Sequence, residues 1–526
     1  MKKNKLTYLA CSLLLLASCK KDFIDRSTLD GATLTNYYNT AEEVRSATST
    51  LYGLPWAGYE NRAMDVIGDV MGGTEISSPA DDAPFSNFTV TATSVRLADA
   101  WKAFYKLGGW SSSLIIALED KKKQGGSASF IDPALAECHF IKGMAYFYIA
   151  RAWGAAPIIN DPGKIALTGN FNIPRYYEKD VLRFALEELK IAEANLPETD
   201  VPGRLTKYSA KGMMAKLYLY TKDYTNAKLK AGEVIAYAKS SGKIGLYPDY
   251  AAMFNTSATN NNIESLFSTQ HPLTQNPWGS GNQLQCDRGP DNLQTSEANM
   301  WQLYRPSMYM LSQYESGDLR RKGSVMEHGW SKAEWKPKNG NAAYNAFMAN
   351  GYKYDTLQPT GDGGQKNDVR ANIAKYVVGP GSTYGGEPVI GMNTGKNTSH
   401  LRYADVLLIY AEATLGAAAS TNDASALEAF NAVRTRAGLL SKTSITLDDI
   451  LKERRVEFAF EGDSWYDLKR MGFAKASAII ATQNRGWVDN PIYITGNFTQ
   501  NSMNLPIPVD EVIQDPELAK APVAYY

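Results

Sequence analysis

The chain has 526 residues, of which 44% are hydrophobic and 21% are charged, and its 55 basic residues equal its 55 acidic residues in number. This length is sufficient for a large buried core and, by itself, for about two or three domains. The even charge balance gives no indication of a nucleic-acid surface, and four cysteines in so long a chain exclude a disulfide-rich scaffold.

The first residues have the pattern of an exported lipoprotein. A basic start is followed by an apolar run from Leu6 to Leu16, which is too short to cross a bilayer. Leu16-Ala17-Ser18-Cys19 then has the form of the lipobox, which a signal peptidase cuts before a lipidated cysteine. We therefore expect a signal peptide over residues 1–18, acyl chains on Cys19, and a tether over residues 19–29.

Loss of the signal peptide changes the charge and cysteine inventory only slightly. It removes Lys2, Lys3 and Lys5, which leaves 52 basic against 55 acidic residues, a balance of −3. With Cys19 lipidated, Cys138 and Cys286 remain, so at most one disulfide is possible.

Helical periodicity is strong in two parts of the chain. In the first part it predicts helices over residues 134–152, 177–196, 207–221 and 224–239, and in the second over 401–419, 424–437 and 447–461. The pair around Lys222-Asp223 carries small residues at offsets similar to those of tetratricopeptide repeats. The last helix opens with Thr446-Leu447-Asp448-Asp449, which predicts a capping box.

The segment between these two parts has a different composition. Residues 242–400 are rich in Gly, Asn, Pro and Ser, carry scattered aromatic residues, and contain only short strand-like runs such as 375–378. So long an irregular segment is uncommon unless its loops are functional. We predict a mainly α protein with an N-terminal helical region over 30–240 and a C-terminal region over 241–526, in which loops from 241–400 form the binding face.

Three consecutive segments of the second helical part have a distinctive order and spacing. They are Leu401 to Ala413, Phe430 to Leu439, and Glu453 to Arg470. Together with Leu505-Pro506-Ile507-Pro508 and with Cys19 to Asp25, they resemble the SusD/RagB family of nutrient-uptake lipoproteins. Ser464 and the closing residues Lys520 to Tyr525 depart from the residues usual in that family.

This resemblance implies a mostly helical SusD-like fold with four tetratricopeptide-like units and no catalytic activity or cofactor. It also implies a lipid-anchored protein of the cell outer membrane that lies as a lid on a SusC-like TonB-dependent transporter. We interpret the charged residues from Glu453 to Glu461 as solvated faces or structural ion pairs of the scaffold, because they recur at helical spacing. We expect Trp465 and Asp467 to fasten the helix end.

Motifs for metal-dependent or nucleophilic catalysis are absent. The four histidines are scattered, with no HExxH or CxxC pattern, so we predict neither a metal site nor catalytic residues. Gly462-Asp463-Ser464 ends a predicted helix instead of following a strand, which rejects a hydrolase motif. A surface glycosidase would need two carboxyls about 5 to 9.5 Å apart in space, at any separation in sequence. Asp81-Asp82 is an acidic doublet in a loop flanked by Phe85 and Phe88, and we interpret it as a solvated loop pair.

Candidate binding residues are aromatic side chains in loops, because sugars stack their C–H faces on flat rings. Trp101, Tyr105 and Trp110 lie at helical spacing and are predicted to be core. The candidate ligand-binding residues are Phe85, Phe88, Trp278, Trp301, Tyr304, Trp330 and Trp335.

Three functional classes remain open at this point. The first is a lipoprotein that binds an oligosaccharide, which we favour because glycan binding is frequent in the family. The second is a peptide-binding lipoprotein similar to the RagB branch, and the third is a surface hydrolase.

Overall fold

The computed structural model of the chain describes residues 37–273, 281–355, 357–360, 365–367 and 370–526. The predictions for residues 1–29, including the lipid on Cys19, and the prediction for Trp278 lie outside these residues.

The protein is mainly helical, as predicted. The α-helices of the described residues are α1 (Ala41–Ser49), α2 (Ala57–Glu60), α3 (Ala83–Ser86), α4 (Val95–Lys123), α5 (Ala128–Trp153), α6 (Pro162–Thr168), α7 (Glu178–Asn195), α8 (Lys207–Tyr220), α9 (Tyr224–Ser241), α10 (Tyr250–Asn255), α11 (Leu284–Arg288), α12 (Met308–Leu311), α13 (Leu319–Ser324), α14 (Ala342–Met348), α15 (Tyr403–Leu415), α16 (Ala424–Arg436), α17 (Leu447–Glu457), α18 (Ser464–Arg470), α19 (Phe473–Ile480) and α20 (Val509–Gln514). A π-helix also covers Asp65–Val70.

The strands are short and pair in twos. They are β1 (Glu75–Ser77), β2 (Ser265–Thr269), β3 (Tyr304–Pro306), β4 (Val325–Met326), β5 (Ser331–Lys332), β6 (Tyr352–Lys353), β7 (Leu357–Pro359), β8 (Gln365–Asn367), β9 (Asn372–Ile373), β10 (Val389–Ile390), β11 (Asn393–Thr394), β12 (Thr398–Arg402), β13 (Ser420–Thr421) and β14 (Ile445–Thr446). The antiparallel pairs in the described part are β1–β3, β2–β12, β4–β9, β5–β6, β7–β8, β10–β11 and β13–β14.

The two helical parts predicted from the sequence form one scaffold. Helix α5 packs against both α4 and α7, and α8 packs against α7 and α9. Helix α9 also contacts α15, which in turn packs on α16 and α17. No helix in the described ranges is long and apolar enough to span a membrane.

Local sequence signals explain where the scaffold helices begin. The Asp223 carboxylate accepts the Asn226 N–H at 3.1 Å and starts α9. Thr446 and Asp449 form the predicted capping box at the start of α17. These side chains satisfy N–H groups that have no partner within their helices, so they fix the helix boundaries.

The strand-like run over residues 375–378 was a wrong prediction. Tyr376 has a φ of 70°, so the backbone turns there, and the strand of this region is β9 at Asn372–Ile373. Val377 and Val378 are buried directly after this turn. Their apolar character therefore reflects packing in a core.

The loop-rich segment has a hydrophobic core of its own beside the main core of the scaffold. Trp330 and Trp335 lie at its centre, with ring centroids 5.6 Å apart. The buried residues of this second core are Leu293, Ala298, Met300, Met326, Trp330, Trp335, Tyr344, Met348, Tyr352, Tyr354, Ala374, Val377, Val378 and Val389.

Candidate functional site

Trp301 is the exposed tryptophan among those that the structure describes, with 36% of its surface accessible. Its loop is held from both sides: the Trp301 N–H donates to the Cys286 carbonyl at 2.7 Å, and the Leu303 N–H donates to the Asp287 carbonyl at 2.6 Å. Gln302, between them, has a φ of 54°. Main-chain bonds to α11 thus present the indole ring at a fixed position.

Arg62 lies against this ring. Its guanidinium carbon is 5.4 Å from the centroid of the Trp301 ring, which is within the range of a cation–π contact. Its Nε donates to the Asp287 carboxylate at 3.2 Å, and about a fifth of its side chain stays exposed (21%). We call Trp301 and Arg62 together the Trp301 surface. This surface combines a flat apolar ring with oriented N–H donors.

A buried charged cluster lies beneath the Trp301 surface. Arg288 Nε donates to the Asp65 carboxylate at 3.0 Å, and Arg288 lies 3.6 Å from Glu75; all three side chains are inaccessible to solvent. Burial raises the pKa of the Glu75 carboxyl well above its usual range, and it raises the pKa of Asp287 to about 7 despite the opposing charge of Arg62. A raised pKa favours the uncharged form of both carboxyls, which limits the negative charge under the site.

A small cavity adjoins the turn that carries Arg62. It holds a volume of about 20 Å³ and is lined by Glu60, Asn61, His271 and the segment Gly281 to Leu284. This volume is close to that of a single water molecule. Gly281, which lines the cavity, is the first described residue after residues 274–280. Trp278 belongs to that stretch.

The cavity wall contains a carboxylate between two histidines. Glu60 lies 2.9 Å from His271 Nε2 and 2.7 Å from His400 Nε2. Burial works to raise the pKa of Glu60, but the charges and hydrogen bonds of the two histidines outweigh it and lower that pKa to about 2. His271 and His400 are distant from Glu60 in sequence, so the sequence alone did not predict that these three side chains meet. Within the described ranges no group of three His, Cys, Asp or Glu residues is arranged to hold a metal ion.

Most of the other predicted binding residues lie in the core. Phe85 and Tyr304 have no accessible surface, Phe88 has 8%, Trp330 has 6% and Trp335 has 4%. Phe88 packs on Trp465 at 5.6 Å, and the Tyr304 hydroxyl donates to Asp82 at 2.9 Å. In this structure these rings offer no open face to a ligand, because Phe85, Phe88 and Tyr304 pack in the main core and Trp330 and Trp335 pack in the second core.

The interpretation of Asp81-Asp82 as a solvated pair was wrong for Asp82. Asp81 is exposed, but Asp82 is buried and accepts hydrogen bonds from Ser77 at 2.8 Å and from Arg96 at 3.1 Å. Asp82 therefore ties β1 to the start of α4.

The free cysteines do not form a disulfide. Cys138 and Cys286 are both buried, and burial raises the pKa of each thiol above its usual range. Cys286 contributes its carbonyl to the Trp301 loop, which is a main-chain role.

Two residues with cation–π contacts at the surface, Arg62 and Trp487, were missed by the sequence analysis. Arg62 follows a short helix with no recognisable motif, and Trp487 lies in a C-terminal loop outside the segment expected to bind ligand. Only the three-dimensional contact of Arg62 with Trp301, and of Trp487 with Arg305 and Arg370, distinguishes them.

Comparison with known proteins finds relatives that align with nearly the whole chain. A profile of the SusD family matches residues 222–525. A SusD-like protein of Bacteroides ovatus is 32% identical over 566 aligned residues, which cover 99% of this chain and 98% of that protein. A SusD-like protein P2 of Formosa agariphila is 24% identical and covers 98% of this chain and 99% of its own length.

Solved structures show the same architecture. A crystal structure with xylogluco-oligosaccharide is 31% identical and superposes with a TM-score of 0.79, over 92% of this chain and 99% of that chain. A laminarin-binding SusD-like protein shares the fold with a TM-score of 0.67 at 24% identity, over 91% of this chain and 98% of its own. The chain therefore belongs to the SusD family.

Proposed function

We propose that this protein binds a neutral oligosaccharide at the Trp301 surface and performs no chemistry on it. The observation that carries the proposal is the likeness, along nearly the full length of both chains, to a structure solved with xylogluco-oligosaccharide. A xylogluco-oligosaccharide is accordingly the first ligand to test.

The chemistry of the Trp301 surface supports this ligand class. A pyranose ring presents C–H groups on one face, which pack on an indole, and hydroxyl groups at its edge, which accept N–H hydrogen bonds. Trp301 and Arg62 supply these two kinds of contact side by side, and the main-chain bonds of the Trp301 loop fix the ring before ligand arrives.

Binding of a xylogluco-oligosaccharide to the mature chain tests the proposal by calorimetry. We expect Trp301→Ala to weaken affinity at least about fivefold, because truncating an aromatic anchor costs more than about 1 kcal/mol. Tyr493→Ala is the matched control, since Tyr493 is also an exposed aromatic (52%) but lies in another loop. Unchanged affinity in Trp301→Ala would place the ligand elsewhere, and affinity for peptides without affinity for glycans would favour the RagB-like alternative.

Absence of turnover is tested with the same ligand. Incubation of the protein with a bound oligosaccharide should leave the oligosaccharide chain length unchanged. Cleavage that disappears in Asp81→Asn would support the hydrolase alternative instead.

We also propose that the protein is anchored at the cell outer membrane through lipid on Cys19 and passes its ligand to a SusC-like TonB-dependent transporter. The support is the Leu16-Ala17-Ser18-Cys19 pattern and membership of the family. Cys19→Ala should move the protein from the membrane fraction to the soluble fraction while its melting temperature stays unchanged. Retention of the variant in the membrane fraction would contradict lipid anchoring.

A further inference from the structure

An open cleft lies beside the C-terminal loop that carries Trp487. It has a volume of about 450 Å³ and is lined by both aromatic and charged side chains, among them Arg321, Glu327, Tyr354, Arg370, Trp487 and Asp489. This volume is within the range of small-molecule sites, about 300 to 1,000 Å³.

The Trp487 ring is held in place from several directions. Arg370 and Arg305 lie 4.9 Å and 5.6 Å from its centroid. The neighbouring backbone is fixed as well, because the Gly486 carbonyl accepts the Met308 N–H at 3.2 Å and the Trp487 N–H donates to the Asn490 carbonyl at 3.0 Å. The half-buried ring is thus a rigid part of the cleft wall.

The charges of the cleft are paired locally. Arg321 forms two hydrogen bonds with Glu327, at 2.8 Å and 2.9 Å. Lys353 lies 3.6 Å from Asp355, and Arg370 lies 3.8 Å from Asp489. Opposite charges therefore offset one another, and the cleft has polar groups without the excess charge that would select an ionic ligand.

Hydrogen bonds connect this cleft to the Trp301 surface. Gln302, next to Trp301, donates its amide to Asn372 at 2.7 Å, and the Tyr354 hydroxyl in the cleft wall donates to the same oxygen at 2.8 Å. Arg305, which contacts Trp487, follows Trp301 by four residues, so their Cα atoms are at most about 14 Å apart. Trp487 thus packs against a residue whose Cα lies within about 14 Å of the Trp301 Cα, a span of a few sugar units.

We propose that the cleft at Trp487 is a second sugar subsite, which binds the distal part of an oligosaccharide whose first part is held at Trp301. This inference rests on the proposed function of the Trp301 surface. A sugar ring stacks on Trp487, and its hydroxyl groups exchange hydrogen bonds with the half-exposed side chains of Arg370 and Asp489, which are 39% and 56% accessible. The ligand is a neutral, polyhydroxylated chain long enough to reach both rings.

The test compares xylogluco-oligosaccharides of one and two backbone repeats by calorimetry. Trp487→Ala should lower affinity for the longer ligand by about fivefold or more and leave affinity for the shorter ligand within about twofold. Trp487→Phe should restore most of the affinity, because it keeps a flat ring. Trp301→Ala should weaken binding of both ligands, whereas Tyr177→Ala, which removes an exposed aromatic side chain (43%) at the start of α7, should weaken neither.

A second variant, Asp489→Ala, tests the subsite independently in case Trp487→Ala misfolds. Asp489 is more than half exposed, so Asp489→Ala should keep the wild-type melting temperature and still weaken binding of the longer ligand selectively. Normal binding of the longer ligand by both variants would overturn the second subsite, as would equal losses for both ligand lengths. Failure of the wild-type protein to bind either ligand would instead overturn the proposed function.

Discussion

Glu457 lies at the centre of a buried group of arginines. Its side chain has no accessible surface, and its carboxylate lies 2.9 Å from Arg402 and 3.2 Å from Arg320, with Arg436 also in contact. Burial acts to raise the pKa of Glu457, but the charges of Arg436, Arg402 and Arg320 outweigh it and hold that pKa well below its usual range. Glu457 is therefore ionised in the folded protein.

We expect Glu457→Gln to lower the free energy of unfolding by about 3 to 5 kcal/mol, because it leaves buried guanidinium groups without their carboxylate. Urea denaturation at pH 7 measures this loss. Glu428→Gln is the matched control, since Glu428 pairs with Lys239 but is 62% exposed and should contribute only about 0 to 1 kcal/mol. Equal effects of the two substitutions would contradict a special role for the buried cluster.

The sequence predicted the structural role of these charges but not their burial. Glu453, Arg454 and Glu457 recur at helical spacing, which is equally typical of an exposed helix face. Their partners, such as Asp405 for Arg454, belong to other helices. Burial depends on those distant contacts, and helical periodicity does not report them.

At the scale of helices, the crossing of α5 and α7 depends on a glycine. A Cβ on Gly143 would lie 2.8 Å from the Ala185 carbonyl oxygen and 2.9 Å from Leu189. The two helices therefore approach more closely than a side chain at this position would permit.

Gly143→Ala should destabilise the protein by about 1 to 3 kcal/mol, which is typical of overpacking. Gly109→Ala offers a matched control, because Gly109 is also inside a helix but a Cβ there would meet nothing within 4 Å. That substitution should stabilise by about 0.5 to 1 kcal/mol through the higher helix propensity of alanine. Thermal melts of the two variants should shift in opposite directions.

Helices were the most predictable elements of this fold. The predicted helix over residues 224–239 is observed as Tyr224–Ser241, and the one over 207–221 as Lys207–Tyr220, because periodicity and capping residues lie close together in sequence. The loop aromatics were harder to assign: Trp301 and Trp335 have similar sequence surroundings, yet one is exposed and the other is buried in the second core. Only packing between loops that are distant in sequence separates these two outcomes.

At the scale of the whole molecule, two groups of buried carboxyls have opposite effects on stability as pH changes. Burial raises the pKa of Asp69 to about 6 and that of Glu75 well above its usual range. Lys216 and Arg151 overcome burial and lower the pKa of Asp463, as the histidines do for Glu60. The unfolded carboxyls have pKa values near 4.

Stability should therefore pass through a maximum on the acidic side of neutrality. At pH values between their unfolded and folded pKa, Asp69 and Glu75 hold protons in the folded state that the unfolded state does not, so stability rises as pH falls from neutrality toward about 5. Below about pH 4 the unfolded state takes up protons that Asp463 and Glu60 resist, so stability is lost as pH falls further. Urea midpoints measured from pH 3 to 8 check both limbs.

Glu75→Gln tests the predicted rise in stability as pH falls from neutrality toward about 5. Burial raises the pKa of Glu75 well above its usual range, and neither of its carboxylate oxygens has a hydrogen-bond partner in the structure, so an uncharged amide is a close replacement. The variant should show a smaller change of urea midpoint between pH 5 and 8 than the wild type. Superimposable profiles would contradict the raised pKa of Glu75.

The arginine cluster around Glu457 also has a consequence for the order in which the chain can assemble during synthesis. Arg320, Arg402 and Arg436 are made before Glu457, and Glu461, which also binds Arg402, is made later still. A nascent chain that ends before residue 457 carries these cations without a carboxylate that all of them share. Closure of the C-terminal scaffold before this point would bury the three cations without that shared carboxylate, so truncated chains that stop earlier should be open to proteolysis even though they contain every loop residue of the Trp301 surface.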